Sequence, residues 1–198
     1  MKKNAEAEFF DSIAAQWDTS RAVDFEKLTF LLSMMDISRG AHVLDVGSGT
    51  GVLLPYLKDA IGSSGSITAL DFSKEMLARA QEKYEGLEGI NYVCDDVLKY
   101  ETKDLYDVVV CLNFFPHIKD KTVFLHRMKQ FLKPKAMLVV MHDISRQAVN
   151  AIHQGCAAVQ EDRLPGSKIL AKMLEQAGYR VQNEIDCEKY YFVKAIRE

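Results

Sequence analysis

The feature that most constrains the fold of this chain is residues 43–46 (VLDV), which are followed directly by residues 47–51 (GSGTG). An apolar, β-branched run of this kind predicts a buried strand, and the glycines predict a tight turn into a helix. Such glycines let the backbone approach a bound small molecule, and free amides at the following helix start can hold an anionic group. The stretch therefore predicts a ligand-binding loop at the end of a strand.

A second signal is Asp71, which ends the next strand-like run twenty residues after Gly51. A carboxylate there accepts both hydroxyls of a ribose, so the two features predict a cofactor that contains a nucleoside. The glycine spacing is G-x-G-x-G, with Val52 where a dinucleotide loop has its third glycine. Asp45 just before the loop would repel a pyrophosphate and suits a cationic amino group. An NAD-dependent oxidoreductase stays as a disfavoured alternative.

Strands and helices alternate through the middle of the chain. Strands are predicted at 42–46, 67–70, 90–94, 106–112 and 137–142, with helices at 51–60, 74–84 and 119–132 between them. This order predicts an α/β fold with a parallel sheet covered by helices on both faces. Amphipathic helices are predicted before the sheet at 5–17 and at 24–35, and the apolar side of the second carries Phe25, Leu28, Leu31, Leu32 and Met35. Further helices are predicted after the sheet at 145–160 and about 164–177. Runs 179–185 and 190–196 predict a closing antiparallel hairpin.

Composition narrows the class of protein. The chain has 198 residues, which suggests a single domain, and a net charge of −3, which gives no basic field for nucleic acid. No apolar run is long enough to span a bilayer, no signal peptide is recognisable, and the four cysteines show no CxxC spacing. We therefore expect a reduced, cytoplasmic protein that acts on a small molecule, without membrane insertion.

Residues that follow the predicted strands are the candidates for a binding site, because carboxyl ends of parallel strands meet at one edge of the sheet. The resulting candidates for cofactor binding are Asp45, Gly47, Ser48, Gly49, Gly51, Asp71, Phe72, Asp96 (with Asp95 as the fallback), Val97, Leu112 and Asn113. His117 follows the fourth strand within an apolar stretch and is a candidate for lining the site.

At residues 45–51 the chain resembles class I S-adenosylmethionine-dependent methyltransferases, whose first motif is D/E-x-G-x-G-x-G. Residues 9–18 (FFDSIAAQWD) are also similar to the leader of ubiquinone/menaquinone-type methyltransferases. The resemblance implies a Rossmann-like, doubly wound sheet of seven strands in the order 3-2-1-4-5-7-6, with the last strand antiparallel and N-terminal lid helices. It implies S-adenosylmethionine as the cofactor and Asp96 as the partner of the adenine amino group. It also implies that backbone near Leu112 and Asn113 cradles the methionine part. One departure is residues 133–136 (KPKA), where the family usually has K-P-G-G.

The acceptor side is expected to include Trp17 on the leader and His142 and His153 after the fifth strand. His117 and His142 are the candidate bases, needed only if the acceptor must lose a proton. No metal is expected, although His142, His153 and Cys156 are an alternative metal or thiol site. Arg146 and Arg163 are candidate partners of an acidic substrate.

The functional hypothesis is in-line methyl transfer to a small-molecule acceptor. The rival reading from a different class is a non-catalytic S-adenosylmethionine-binding module. Within one domain (1–198) the expected parts are a lid (1–38), a cofactor-binding core (39–142), an acceptor-side insertion (143–165) and a final helix with the hairpin (166–198).

Overall fold

The computed structural model describes residues 5–20 and 23–198. Within them, seven strands form one sheet: β1 (His42–Val46), β2 (Ser66–Asp71), β3 (Ile90–Cys94), β4 (Tyr106–Leu112), β5 (Leu132–His142), β6 (Tyr179–Asp186) and β7 (Tyr191–Arg197). The order across the sheet is β3-β2-β1-β4-β5-β7-β6, which confirms the predicted order. Strands β1 to β5 pair in parallel, and β7 is antiparallel to both β5 and β6.

The helices lie before the sheet, between its strands and around its closing hairpin. They are α1 (Ala5–Ile13), α2 (Trp17–Ser20), α3 (Phe25–Ser33), α4 (Leu54–Ile61), α5 (Lys74–Lys83), α6 (Lys121–Phe131), α7 (Arg146–Gln154) and α8 (Ser167–Gln176), with single 3₁₀ turns at Ala14–Gln16 and Phe115–His117. Side-chain caps begin several of them. Ser73, for example, accepts a hydrogen bond from Met76 N at 3.2 Å, as its position before α5 predicts.

Two apolar layers hold the helices against the sheet. Successive residues of β1 serve different layers: Val43 packs with α3 and α4 on one face, whereas Leu44 and Val46 pack with α6 and α8 on the other. This alternation follows from the period of two in a strand. Both faces of β1 and β4 are buried, which explains their continuous apolar sequences. No helix in the described part of the chain is long and apolar enough to cross a membrane.

Several element boundaries differ from the sequence predictions. The helix after the glycine loop begins at Leu54 rather than Gly51, and α7 ends at Gln154 rather than near residue 160. Strand β5 begins at Leu132 and runs through the segment with the K-P-G-G departure. Lys135 there has φ 64°, a left-handed conformation that explains the family's usual glycine. Phe25, expected on the buried side of α3, is 63% exposed.

Candidate functional site

The loop between β1 and α4 is shaped by glycines that serve different purposes. Gly47 has φ 70°, and a Cβ there would lie 2.2 Å from a ring atom of Phe114. Gly49 has φ 54°, and apart from its chain neighbours no heavy atom of the described residues lies within 4 Å of the position that its Cβ would take. Gly47 therefore permits close packing against the chain after β4, whereas Gly49 leaves open space beside the loop.

The loop amides are used within the chain. Gly47 N and Ser48 N donate to Leu70 O at 2.8 and 3.2 Å, and Gly51 N donates to Ser48 O at 2.9 Å. Gly49 N donates to the Asp71 carboxylate at 2.8 Å. These four amides precede α4, which begins at Leu54, so the prediction that amides at the helix start hold an anionic group stays a prediction. The loop offers close backbone approach rather than a phosphate cradle.

Asp71 links the segments that follow β1 and β2 by hydrogen bonds. Its Oδ2 accepts the Gly49 N–H, and its Oδ1 accepts the Ser73 N–H, also at 2.8 Å. Burial raises the pKa of this carboxyl above its usual range, against the opposing effect of the two backbone hydrogen bonds. A carboxylate held in this way has little rotational freedom, and its remaining lone pairs are available to hydroxyl donors.

Asp45 lies behind the loop, with 2% of the residue exposed. Among the described residues, no donor reaches its Oδ2 or the buried Ser48 Oγ. Burial, followed by the negative charge of Asp71, raises the pKa of Asp45 to about 7. Buried polar atoms are normally hydrogen-bonded, so these two atoms are where a bound ligand or water is expected to supply a partner.

A cavity of about 90 Å³ lies beside the glycine loop, and we call it the loop cavity. Most of the predicted cofactor-binding residues line it. They are Gly47, Ser48, Gly49, Asp71, Phe72, Leu112 and Asn113, together with Trp17 and His117. Asp45, Gly51, Asp96 and Val97 are outside the lining. Sequence reasoning missed the role of Phe10, Thr50, Val52, Met76 and Phe114 in this wall.

The predicted adenine partner, Asp96, makes local contacts. Its Oδ1 accepts from Leu98 N at 3.0 Å, and its Oδ2 lies 3.2 Å from Lys99 Nζ. Val97 is buried in the apolar layer next to β4. Asp96 thus closes the turn after β3, with part of its side chain exposed to solvent.

Asn113 occupies an unusual position at the end of β4. Its backbone has φ 55°, and its N–H donates to Met141 O of β5 at 2.9 Å. Asparagine tolerates the left-handed conformation better than most residues with a side chain. The resulting turn places Asn113 on the wall of the loop cavity and of the second cavity described below.

The leader helices close over the loop cavity. Asp11 Oδ1 accepts from Ser73 Oγ at 2.6 Å and from Glu75 N at 3.2 Å, at the start of α5. Phe10 makes edge contacts with Phe72 and His117, at ring-centroid distances of 5.8 and 5.4 Å. The first helix is therefore attached to residues that follow β2 and β4.

A second attachment involves Asp18. Thr50 Oγ1 donates to its Oδ1 at 2.6 Å, and Lys83 Nζ donates to its Oδ2 at 2.7 Å. Burial alone would raise the pKa of Asp18, but the hydrogen bonds from Lys83 and Thr50 outweigh it and lower that pKa. Asp18 thus joins the leader to the glycine loop, a role that its sequence position did not indicate.

A second cavity, of about 460 Å³, adjoins the first, and we call it the apolar cavity. Its wall is mainly aromatic and aliphatic, with three histidines, and comprises Phe9, Phe10, Ile13, Trp17, Ser20, Asn113, His117, His142, Asp143, Ile144, Val149, Ile152, His153, Cys156 and Val159. Phe10, Trp17, Asn113 and His117 belong to both cavities. The structure thus brings the predicted acceptor-side residues Trp17, His142 and His153 around one space next to the glycine loop.

The histidines differ in their surroundings. His117 Nδ1 lies 2.7 Å from Asp162 Oδ2, and His153 Nδ1 lies 3.2 Å from the main-chain oxygen of the same residue. The two rings are 5.0 Å apart between centroids. His142 is 1% exposed and meets the edge of Tyr191 at 6.0 Å. Sequence reasoning missed Asp162 because nothing in its local sequence marks it as a partner of His117.

The two candidate arginines, Arg146 and Arg163, form hydrogen bonds outside the apolar cavity. Arg146 Nε donates to Asp186 Oδ2 at 2.6 Å, and Arg163 donates to Gln160 O, also at 2.6 Å. Neither arginine lines the apolar cavity. Across residues 5–20 and 23–198, no group of three or more His, Cys, Asp or Glu side chains is arranged to hold a metal ion.

This fold and this site define a class. A seven-stranded sheet with an antiparallel β7, a glycine loop after β1 and an acidic residue at the end of β2 are the features of class I S-adenosylmethionine-dependent methyltransferases, and the chain belongs to that class.

Comparison with known proteins agrees with this assignment. The family described as a methyltransferase domain matches residues 43–135. A demethylmenaquinone methyltransferase of Staphylococcus epidermidis is 30% identical over 146 residues, which cover 71% of this chain and 61% of that protein. The chain thus spans about six-tenths of the length of that curated relative.

Solved structures share the fold. A methyltransferase from Aquifex aeolicus superposes with a TM-score of 0.76 at 24% identity, covering 95% of this chain and 98% of that chain. The N-methyltransferase NodS from Bradyrhizobium japonicum, solved with S-adenosylhomocysteine, gives a TM-score of 0.72 at 16% identity, covering 98% and 99%.

Proposed function

We propose that this chain transfers a methyl group from S-adenosylmethionine to a small, largely apolar acceptor. The observation that carries the proposal is the shared wall of the two cavities. The loop cavity has polar groups suited to a nucleoside and an amino acid, and the apolar cavity has the lining expected for a hydrophobic ligand. Molecules bound in both cavities would be neighbours across Asn113 and His117.

The cofactor assignment is supported by the polar atoms beside the glycine loop. Asp71 is the proposed partner of the ribose hydroxyls, and Asp45 and Ser48 have buried oxygens without a partner in the described chain. Leu112 and Asn113 are proposed to hold the methionine part. The further cofactor-binding residues that we propose are Gly47, Gly49, Gly51, Phe72, Asp96 and Val97.

The same atoms argue against a dinucleotide. A pyrophosphate needs free amide donors, and the amides of residues 47, 48, 49 and 51 already have acceptors within the chain. Two carboxyl groups, Asp45 and Asp71, also stand close to the loop and disfavour an anionic ligand. An amino-acid-bearing nucleoside without phosphate fits this charge pattern better than NAD.

Cofactor entry requires the leader to move. Pockets that hold drug-sized ligands have volumes of roughly 300–1,000 Å³, and the loop cavity has about 90 Å³. Phe10 and Trp17 of the leader line this cavity. We therefore propose that residues 1–38 act as a lid, which opens for the cofactor and afterwards closes over it.

Catalysis in this proposal depends on alignment and on the exclusion of water. S-adenosylmethionine, when bound, supplies a methyl carbon on a sulfonium, and the sulfur leaves as a neutral thioether when a nucleophile donates an electron pair. The chain contributes an aromatic wall, which excludes water and orients the acceptor once the lid is closed. His117 and His142, both on the apolar cavity, are the candidate bases.

The acceptor class follows from the apolar cavity. Its lining includes Phe9, Ile13 and Val149, and among residues 5–20 and 23–198 no lysine or arginine belongs to it. The staphylococcal relatives are named demethylmenaquinone methyltransferases, and an apolar ring compound fits such a lining. We propose a hydrophobic ring-bearing acceptor, held by residues 143–165 on one side and by the lid on the other.

Trp17 provides a direct assay, because it is the only tryptophan of the chain and lines both cavities. We expect S-adenosylmethionine and S-adenosylhomocysteine to change its emission and to release heat in titration calorimetry, and NAD to do neither. Asp71→Ala should weaken the response, whereas Asp107→Ala, at the opposite end of the sheet, should not. Binding of NAD alone would overturn the proposal. Cofactor binding without transfer of labelled methyl to any of a panel of aromatic hydroxyl compounds would favour a non-catalytic binding module.

A further inference from the structure

Asp162 contacts two of the histidines that line the apolar cavity, His117 and His153. Its side chain has no exposed surface, and it comes from the segment between α7 and α8. Its Oδ2 lies 2.7 Å from His117 Nδ1, and its Oδ1 accepts a hydrogen bond from Lys119 Nζ. Burial alone would raise the pKa of Asp162, but the hydrogen bonds from His117 and Lys119 lower it. The group is therefore a carboxylate at neutral pH.

The contacts of Asp162 determine which nitrogen of each ring carries the proton. A carboxylate only accepts, so His117 Nδ1 must be the protonated nitrogen that faces it. The main-chain oxygen of Asp162 also only accepts, so His153 Nδ1 must donate to it across 3.2 Å, beside a second donor from Arg163. In both rings, Nε2 is then the nitrogen with a free lone pair.

We propose that Asp162 is a positioning residue, which holds His117 and His153 in the tautomer whose Nε2 accepts a proton. This arrangement suits the apolar cavity to a methyl acceptor that carries an ionisable hydroxyl group. The inference rests on the proposed methyl transfer and specifies its substrate class. His117 is the base, because it alone of the two lines both cavities and has the carboxylate behind it. His153 stays neutral and accepts a hydrogen bond.

The neutrality of His153 has a physical cause. Burial, followed by the proximity of His117, lowers the pKa of His153. A main-chain oxygen rather than a carboxylate accepts from its Nδ1, because the Asp162 carboxylate is engaged by His117 and Lys119. The two rings thus have different tasks although they are 5.0 Å apart.

In the proposed step, a proton moves from the hydroxyl group of the methyl acceptor to His117. The O–H bond of the acceptor breaks, and its proton forms an N–H bond at His117 Nε2. The electron pair stays on the acceptor, where it is available to form the bond to the methyl carbon. The imidazolium that results keeps Nδ1–H on the Asp162 carboxylate, which compensates the new positive charge.

The test is the tautomer of each histidine, read from imidazole ¹⁵N chemical shifts at about pH 8.5, two units above the ordinary histidine value. The chain has five histidines, and His117→Gln and His153→Gln assign the two resonances. We expect both rings in the Nδ1–H form. Asp162→Ala should lower the ratio of Nδ1–H to Nε2–H at His117 by roughly tenfold, the loss of a charge-assisted hydrogen bond. His153 should be unchanged, because the main-chain oxygen remains.

Two controls keep this test decisive. Asp107→Ala, which removes an equal charge from the Lys133 pair, should change neither ring. If Asp162→Ala does not fold, Asp162→Asn keeps the shape of the side chain and should shift His117 in the same direction. The inference is wrong if His117 is in the Nε2–H form in the unmodified protein, or if it keeps Nδ1–H when the carboxylate is removed.

A ligand experiment tests the substrate class. We expect 1-naphthol to change Trp17 emission and to shift the Nε2 resonance of His117, and 1-methoxynaphthalene to change only the emission, because it lacks the hydroxyl proton. Equal Nε2 shifts with both compounds, or no effect of either compound, would contradict the hydroxyl assignment. The tautomer measurement needs no cofactor, so a failure to bind S-adenosylmethionine would overturn the proposed function and leave this inference separately testable.

Discussion

Asp45→Asn is expected to make the ligand-free protein more stable at alkaline pH while it weakens cofactor binding. The carboxyl is 2% exposed, and its Oδ2 has no partner among the described residues. Burial and the charge of Asp71 raise its pKa from 3.8 to about 7. A carboxyl whose pKa is raised in the folded state stabilises the fold fully below 3.8, and this contribution is lost as the pH rises towards 7.

The magnitude follows from the two pKa values. At 1.36 kcal/mol per pH unit, the difference between 3.8 and about 7 corresponds to a loss of about 4 kcal/mol once the carboxyl is fully ionised. About 2.5 kcal/mol of that loss falls between pH 5 and pH 8 by the same relation. An unpaired buried amide in the variant costs about 1–3 kcal/mol, but this cost does not vary with pH. The informative quantity is therefore how the difference in unfolding free energy between the two proteins changes with pH.

The assay is urea unfolding of both proteins at pH 5 and pH 8 without ligand. We expect the free energy of unfolding of the variant, relative to the unmodified protein, to be higher at pH 8 than at pH 5 by about 2.5 kcal/mol. Asp107→Asn is the control, because it should destabilise the protein equally at pH 5 and pH 8. Hydrogen bonds from His42 N and Lys133 lower the pKa of Asp107 despite its burial, so its removal should destabilise the protein at neutral pH. Identical pH dependence of the unmodified protein and Asp45→Asn would refute the reasoning.

Three other substitutions have clear expected outcomes. Lys135→Gly relieves a left-handed backbone (φ 64°) and should raise the free energy of unfolding by about 0.5–1 kcal/mol, whereas Ala136→Gly should lower it; thermal unfolding decides between these signs. Asp18→Asn removes the ion pair that attaches the leader to α5 and should speed dissociation of S-adenosylhomocysteine roughly 2–5-fold in stopped-flow fluorescence, and an unchanged rate would mean that this contact does not hold the lid. Asp71→Ala should weaken cofactor binding and also lower stability by about 1–3 kcal/mol, because two backbone amides lose their acceptor; full stability with full affinity would contradict both roles.

The strands could be predicted well because their local sequence is decisive. Strands β1, β3 and β4 begin and end where the sequence predicts, since each is an apolar run bounded by polar or turn residues. The start of β5 was missed because residues 133–135 (KPK) have the composition of a turn. Phe25 was assigned to the buried side of α3 by its spacing, but nothing among the described residues covers it enough to bury it.

The site could be predicted in part for a topological reason. Residues at the carboxyl ends of β1, β2 and β4 meet at one edge, so the positions of Gly49, Asp71 and Asn113 on the loop cavity could be predicted from the strand ends. Asp162 lies 45 residues from His117, and Asp18 lies 32 residues from Thr50. Such contacts depend on how the leader and the segment after α7 fold back over the sheet, which periodicity and spacing do not encode.

The most direct test of the account is a crystal structure of the protein with S-adenosylhomocysteine. We predict that the ligand lies against residues 47–49, with its ribose hydroxyls within about 2.7–3.2 Å of the Asp71 carboxylate and its sulfur on the side of Asn113 and His117 that opens to the apolar cavity. Phe10 and Trp17 should be displaced from their positions in the ligand-free protein. A ligand bound elsewhere, or one whose sulfur is separated from the apolar cavity by the body of the sheet, would contradict the central claim.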